Sequence, residues 1–108
     1  MTAAKVQTNA ENGSMHIAVS GEIDLANAAA VEDELRDAVS QQPATVSIDL
    51  SDLTYLDSAG IRILFTLASR LQGLRIVLEL IVPLDSPTRR LIELSGFESL
   101  AALRPGNH

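Results

Sequence analysis

The stretch Thr45-Val46-Ser47-Ile48-Asp49-Leu50 alternates, with Val46, Ile48 and Leu50 on one side, which is the period of a half-buried strand. A short loop, Ser51 to Tyr55, follows. Ile61, Leu64, Leu67, Ala68 and Leu71 then recur at helical spacing, which predicts a helix from about Ser58 to Leu71. Gly73 sits just past it, where a left-handed residue is often needed. Arg75 to Val82 is a nearly continuous apolar run with β-branched members and suits a strand buried on both faces. Strand, helix and strand in this order imply two parallel strands joined by a right-handed crossover.

Upstream, Met15 to Ser20 also alternates as a strand does, and Glu11-Asn12-Gly13-Ser14 before it is turn chemistry, so Val6 to Asn9 is expected to pair with it as a hairpin. From about Asn27 to Val39 the residues Ala28, Val31, Leu35 and Ala38 form one helical stripe, with Glu32, Asp33, Arg36 and Asp37 off it. Downstream, Ser86 can cap a third helix with Pro87 in its first position, Leu91, Ile92 and Leu94 give that helix an apolar side, and Gly96 closes it. Phe97 to Arg104 reads as a short terminal helix. The fold class is therefore α/β, a small mixed sheet with its helices mainly on one face.

Composition narrows the function. The 108 residues suit one domain, residues 1–108, and 46% are apolar, so the chain can bury a core. With Tyr55, Phe65 and Phe97 its only aromatic residues, that core must be aliphatic. The absence of cysteine removes disulfides, thiolate metal sites and thiol catalysis, and fits a cytoplasmic location. Met1 to Ala10 lacks the pattern of a signal peptide, and Ile76 to Leu84 is too short to span a bilayer. A formal charge of −6, without a basic stripe, speaks against nucleic acid as a partner and serves solubility. Met1 to Lys5 and Pro105 to His108 are expected to fray.

Asp49-Leu50-Ser51-Asp52-Leu53-Thr54-Tyr55-Leu56-Asp57-Ser58-Ala59-Gly60-Ile61 carries the most information about function. A strand ends, a loop turns, and a helix begins at Asp57-Ser58. A helix start leaves amides unpaired and carries partial positive charge, so a phosphate on Ser58 could accept hydrogen bonds there. Ala59 and Gly60 are small enough to let another protein approach the hydroxyl. The competing reading is plain: Asp and Ser are common helix caps.

Tyr55-Leu56-Asp57-Ser58-Ala59-Gly60-Ile61 resembles the D-S-[SA]-G segment of STAS-domain anti-sigma factor antagonists. Gly21-Glu22-Ile23-Asp24 is similar to that family's G-E-[IL]-D, and Ser86 to Gly96 to its C-terminal helix. The resemblance runs from about Val6 to Leu103. It implies a non-enzymatic switch without cofactor or metal. The unphosphorylated form binds an anti-sigma factor that is also a serine kinase and so releases a sigma factor. Phosphorylation at Ser58 turns it off, and a metal-dependent phosphatase of the PP2C type restores it. On this reading Asp24, Asp57, Ser58, Ala59 and Gly60 meet the partner.

Other residues have simpler readings. Asp24 either contacts the partner or caps the helix that begins near Asn27, and Asp57 reads as structural before interfacial. Ser51 and Thr54 fit turn formation better than phosphorylation. Arg89 and Arg90 read as solvated charges, with Arg89 paired to Glu93 one turn on. Glu79 requires an edge position or a partner. His16 and His108 have no ligand set around them. No phosphate-binding glycine loop and no Ser-His-Asp arrangement is present. Two alternatives remain: a STAS-like regulatory subunit of a transport or signalling complex without a phosphoswitch, and an enzyme on a small α/β fold.

Overall fold

The computed structural model describes residues 3–106; Met1, Thr2, Asn107 and His108 lie outside the described residues. In chain order the elements are β1 (Ala4–Glu11), β2 (Ser14–Ile23), α1 (Ala28–Ala38), β3 (Thr45–Asp49), β4 (Leu53–Leu56), α2 (Ser58–Gly73), β5 (Val77–Ile81), α3 (Arg89–Leu94), a 3-10 turn (Phe97–Ser99) and β6 (Ala102–Arg104).

The six strands form one sheet in the order β1-β2-β3-β5-β6, with β4 paired to β2. Strands β1 and β2 are antiparallel, and every other pairing is parallel. The hairpin turn places Asn12 and Gly13 at φ 49° and 82°, the positive values that a two-residue turn needs to follow the twist of its strands. Ala4 and Lys5 belong to β1, so the expected fraying does not reach them.

One sheet face is the core. Ile17, Val19 and Ile23 of β2, Val46 and Ile48 of β3, and Leu78 and Leu80 of β5 are buried against Val31 and Leu35 of α1 and Leu64, Leu67 and Leu71 of α2. The other face is open and carries His16, Ala18, Ser47 and Asp49. The mixed α/β sheet with helices on one face is thus the observed architecture. No helix among the described residues is long and apolar enough to cross a membrane.

Several local expectations are corrected. Strand β5 is buried on one face only, because Val77 points to the open side at 64% exposure while Glu79 and Ile81 are half-buried there. Glu79 is held by Arg104 of β6. The loop predicted over Ser51–Tyr55 contains the start of β4, whose buried Leu53 and Leu56 extend the core beyond the end of β3. Gly73 is the last residue of α2, and the left-handed residue after that helix is Arg75, at φ 61°. Helix α3 begins at Arg89, not Pro87: Ser86 Oγ accepts from the Thr88 amide at 3.3 Å, and the Ser86 carbonyl accepts from Arg89 at 3.2 Å. Gly96 does close α3, with φ 82°.

The predicted terminal helix is a 3-10 turn followed by β6. Phe97 is fully buried, with its ring centroid 4.4 Å from that of Phe65 on α2. Once that ring is in the core, the chain leaves the turn alongside β5, and Val82 N–H donates to the Arg104 carbonyl at 2.7 Å. Removing the ring would leave a cavity beneath the junction. Phe97→Ala is therefore expected to lower unfolding free energy by about 3–5 kcal/mol in a urea titration, whereas a surface anchor would cost under about 0.5 kcal/mol.

Candidate functional site at the carboxyl edge of the sheet

Strands β2, β3, β4 and β5 run in one direction, so the segments that follow them gather at one edge of the sheet. Ligand and partner sites of open α/β sheets form at such edges. Asp24 follows β2, Ser51 follows β3, Asp57 and Ser58 follow β4, and Leu84 follows β5.

Asp57 organises this edge. It is the N-cap of α2, with extended backbone at φ −106° and ψ −170°. Its Oδ1 accepts hydrogen bonds from the amides of Ala59 at 2.9 Å and Gly60 at 3.1 Å. Its Oδ2 accepts from the Leu25 amide at 3.2 Å, across 32 residues of sequence. One carboxylate therefore satisfies the first turn of α2 and fastens the β2–α1 loop to it, at a point where the helix dipole favours negative charge. The structural reading of Asp57 is realised in these three bonds.

Asp24 shapes the neighbouring loop. Its Oδ1 accepts from the Ala26 amide at 2.8 Å. Its carbonyl accepts from Asn27 at 3.2 Å and from Ala28 at 2.9 Å. Asn27 closes the loop from the other side: Oδ1 accepts from the Asp24 amide at 3.0 Å, and Nδ2 donates to the Glu22 carbonyl at 2.8 Å. The start of α1 is thus held by the backbone carbonyl of Asp24, while its carboxylate makes the turn.

Ser58 is the first residue of α2 and is exposed. The amides expected to receive a phosphate at that helix start are held by Asp57, which corrects the idea of an open amide cradle. Ala59 and Gly60 are buried, so their small size has an internal cause. A Cβ on Gly60 would lie 2.3 Å from Leu56 Cδ1 and 3.1 Å from Ile23 Cγ2. The glycine lets α2 pass close over the ends of β2 and β4.

Ser51 Oγ donates to Asp49 Oδ1 at 2.6 Å, and Thr54 Oγ1 donates to the Gly21 carbonyl at 3.0 Å, so both hydroxyls serve local structure. Arg89 pairs with Glu93 at 3.1 Å and also donates to the Val82 carbonyl, whereas Arg90 is exposed. His16 lies on the open face, opposite Asn9 and Ser47 in register, away from this edge. Among the described residues no group of His, Asp and Glu has metal-binding geometry.

Two residues at this edge escaped the sequence reading. Leu25 is 80% exposed and Leu84 is 74% exposed. Each is a large apolar side chain in a loop and stands outside the core. The signal for Leu25 was present in the sequence, as the one large apolar residue between Asp24 and the helical stripe.

A mixed sheet covered on one face, with a serine loop and a capped helix start at its carboxyl edge, defines an α/β regulatory domain of the STAS fold. The chain belongs to the STAS family: residues 6–105 match the family model described as "Mlab, STAS domain". The anti-sigma-F factor antagonist RsfB of Mycobacterium tuberculosis is 35% identical over 88 residues, which cover 81% of this chain and 70% of that protein. The crystal structure of an anti-sigma factor antagonist from Mycobacterium paratuberculosis is similar at a TM-score of 0.86 and 30% identity, over 96% of this chain and 87% of that one. The anti-sigma factor antagonist SpoIIAA in its unphosphorylated form shares the fold at a TM-score of 0.72 and 18% identity, over 92% of this chain and 87% of that one.

The geometry separates two kinds of substitution at this edge. Asp57→Ala removes the cap and frees the Leu25 amide, and is expected to cost about 1–2 kcal/mol in chemical denaturation. Gly60→Ala forces a methyl group against Leu56 and Ile23 and is expected to cost about 1–3 kcal/mol. Ser58→Ala touches neither contact and should remain within about 0.5 kcal/mol of the parent.

Proposed function

We propose that this chain is an anti-sigma factor antagonist that binds an anti-sigma serine kinase through the Ser58 edge while Ser58 is unmodified, so releasing a sigma factor. Phosphorylation of Ser58 ends the complex, and a PP2C-type phosphatase restores the active form. The chain acts as a binding module in the cytoplasm and not as an enzyme. Asp24, Asp57, Ser58, Ala59 and Gly60 form or support the contact surface, with Leu25 and Leu84 as its apolar members.

One observation carries this reading. Ser58 is exposed at a helix start whose Ala59 and Gly60 amides are already held by Asp57. Phosphorylation adds about −1.5 to −2 charge. That charge would stand beside a carboxylate that already occupies the natural anion position. Against a partner pressed onto Leu25 and Leu84 it would be desolvated without compensation, at a cost of roughly several kcal/mol. Each ~1.4 kcal/mol is tenfold in affinity, so a hundredfold loss follows from a modest part of that cost. The role of the mycobacterial relatives, named as anti-sigma factor antagonists, supports the same assignment.

The test uses Ser58→Ala and Ser58→Asp proteins as paired baits in lysate of the source cells, with bound proteins identified by mass spectrometry and affinities then measured on the purified partner. A kinase-like anti-sigma factor should bind the Ala bait and bind the Asp bait about 100-fold or more weakly. Equal binding to both would overturn the charge switch. The alternative is a regulatory subunit of a transport or signalling complex without a phosphoswitch, and membrane transport components recovered equally by both baits would select it.

A further inference from the structure

Strand β1 is an end strand of the sheet, and its outer edge has no partner among the described residues. It is long for an edge, spanning Ala4–Glu11, and its register with β2 runs without a bulge. Natural edges are usually short, bulged or broken by proline. The geometry points to this edge as a two-fold contact in which β1 pairs antiparallel with β1 of a second copy of this chain, centred on Thr8.

The phase of the backbone hydrogen bonds permits that centre, and the charges at the two ends of the strand select it from the other permitted registers. In an antiparallel ladder, residues alternate between pairs that exchange hydrogen bonds and pairs that do not. Glu22 N–H donates to the Ala3 carbonyl at 2.9 Å, and the two-residue turn closes on Glu11 and Ser14. The odd-numbered residues of β1 therefore direct their amides and carbonyls to β2. Ala4, Val6, Thr8 and Ala10 direct theirs outward. A two-fold axis through Thr8 sets Thr8 against Thr8 and Val6 against Ala10, and all of these are outward-directed residues.

The same axis sets Lys5 of each copy opposite Glu11 of the other on the open face, and Gln7 opposite Asn9. Opposite charges directly across an antiparallel pair are favourable. On the helix side, Thr8 and Ala10 are exposed although they point toward the layer that α1 covers for Val6. A second strand would cover them. Glu34 and Asp37 of α1 flank Val6 and Thr8 below this edge. Across the axis they would face the same acids of the second copy, so the association is weak and adjustable by charge.

The test is sedimentation equilibrium of the full chain over a concentration series up to about 1 mM, the weak end of specific association. The parent should show a concentration-dependent monomer–dimer equilibrium. Lys5→Glu should weaken it about tenfold by turning two attractive pairs repulsive, and the double variant Lys5→Glu with Glu11→Lys should recover it. Glu34→Gln with Asp37→Asn should tighten it. The chain has no cysteine, so Thr8→Cys places one thiol on the axis and should oxidise to a disulfide dimer faster than Gln72→Cys at the exposed end of α2. A parent that stays monomeric throughout, or a double variant no better than Lys5→Glu, overturns the proposal.

Discussion

The carboxylate of Asp57 joins two parts of the chain that are remote in sequence. One oxygen takes the first amides of α2, and the other takes the amide of Leu25. Without this clasp the Ala59 and Gly60 amides would lose their acceptor, and the β2–α1 loop would lose a hydrogen bond to the cap of α2. The position of Ser58 follows from it, because a residue next to a three-bonded cap has little freedom of direction. The close pass of α2 over Leu56 and Ile23, which Gly60 permits, fixes the same helix from below. Polar and steric constraints thus converge on two residues flanking the serine.

This arrangement changes how a modification at Ser58 would act. An open helix start can absorb a phosphate as a ligand, which stabilises the modified form. Here a carboxylate already holds the Ala59 and Gly60 amides, so those donors are not free to receive the added charge. Under the proposed switch, the added charge acts both on the partner surface and on the adjacent Asp57 cap.

The strongly periodic parts of the fold were legible in the sequence. The stripe Ala28, Val31, Leu35 and the alternation Val46, Ile48, Leu50 each report one buried face, and those residues are buried. The hairpin was legible because Asn12-Gly13 specifies its own turn. What escaped depends on tertiary partners. Strand β4 is four residues long and exists because β2 continues past the end of β3. Strand β6 looked helical because Phe97, Leu100 and Leu103 repeat at helical spacing, yet the burial of Phe97 redirects the chain. Val77 belongs to an apolar run whose second face has no covering layer, and a run alone cannot reveal that. At the site, the serine and its cap were readable from residue types, whereas the occupation of the amides by Asp57 required the geometry.

Strand β2 accepts β1 along one side and, on the other, β3 and then β4 end to end. Only the β1–β2 pairing joins neighbours in sequence through a tight turn; the β2–β3, β3–β5 and β2–β4 pairings each wait for a long stretch of chain to close. Loop closure of this kind slows folding more than it weakens the final state. The first hairpin therefore has the shortest loop to close of any pairing in the sheet. The other pairings bring together strands separated by a helix or more of chain, so the sheet depends on contacts remote in sequence.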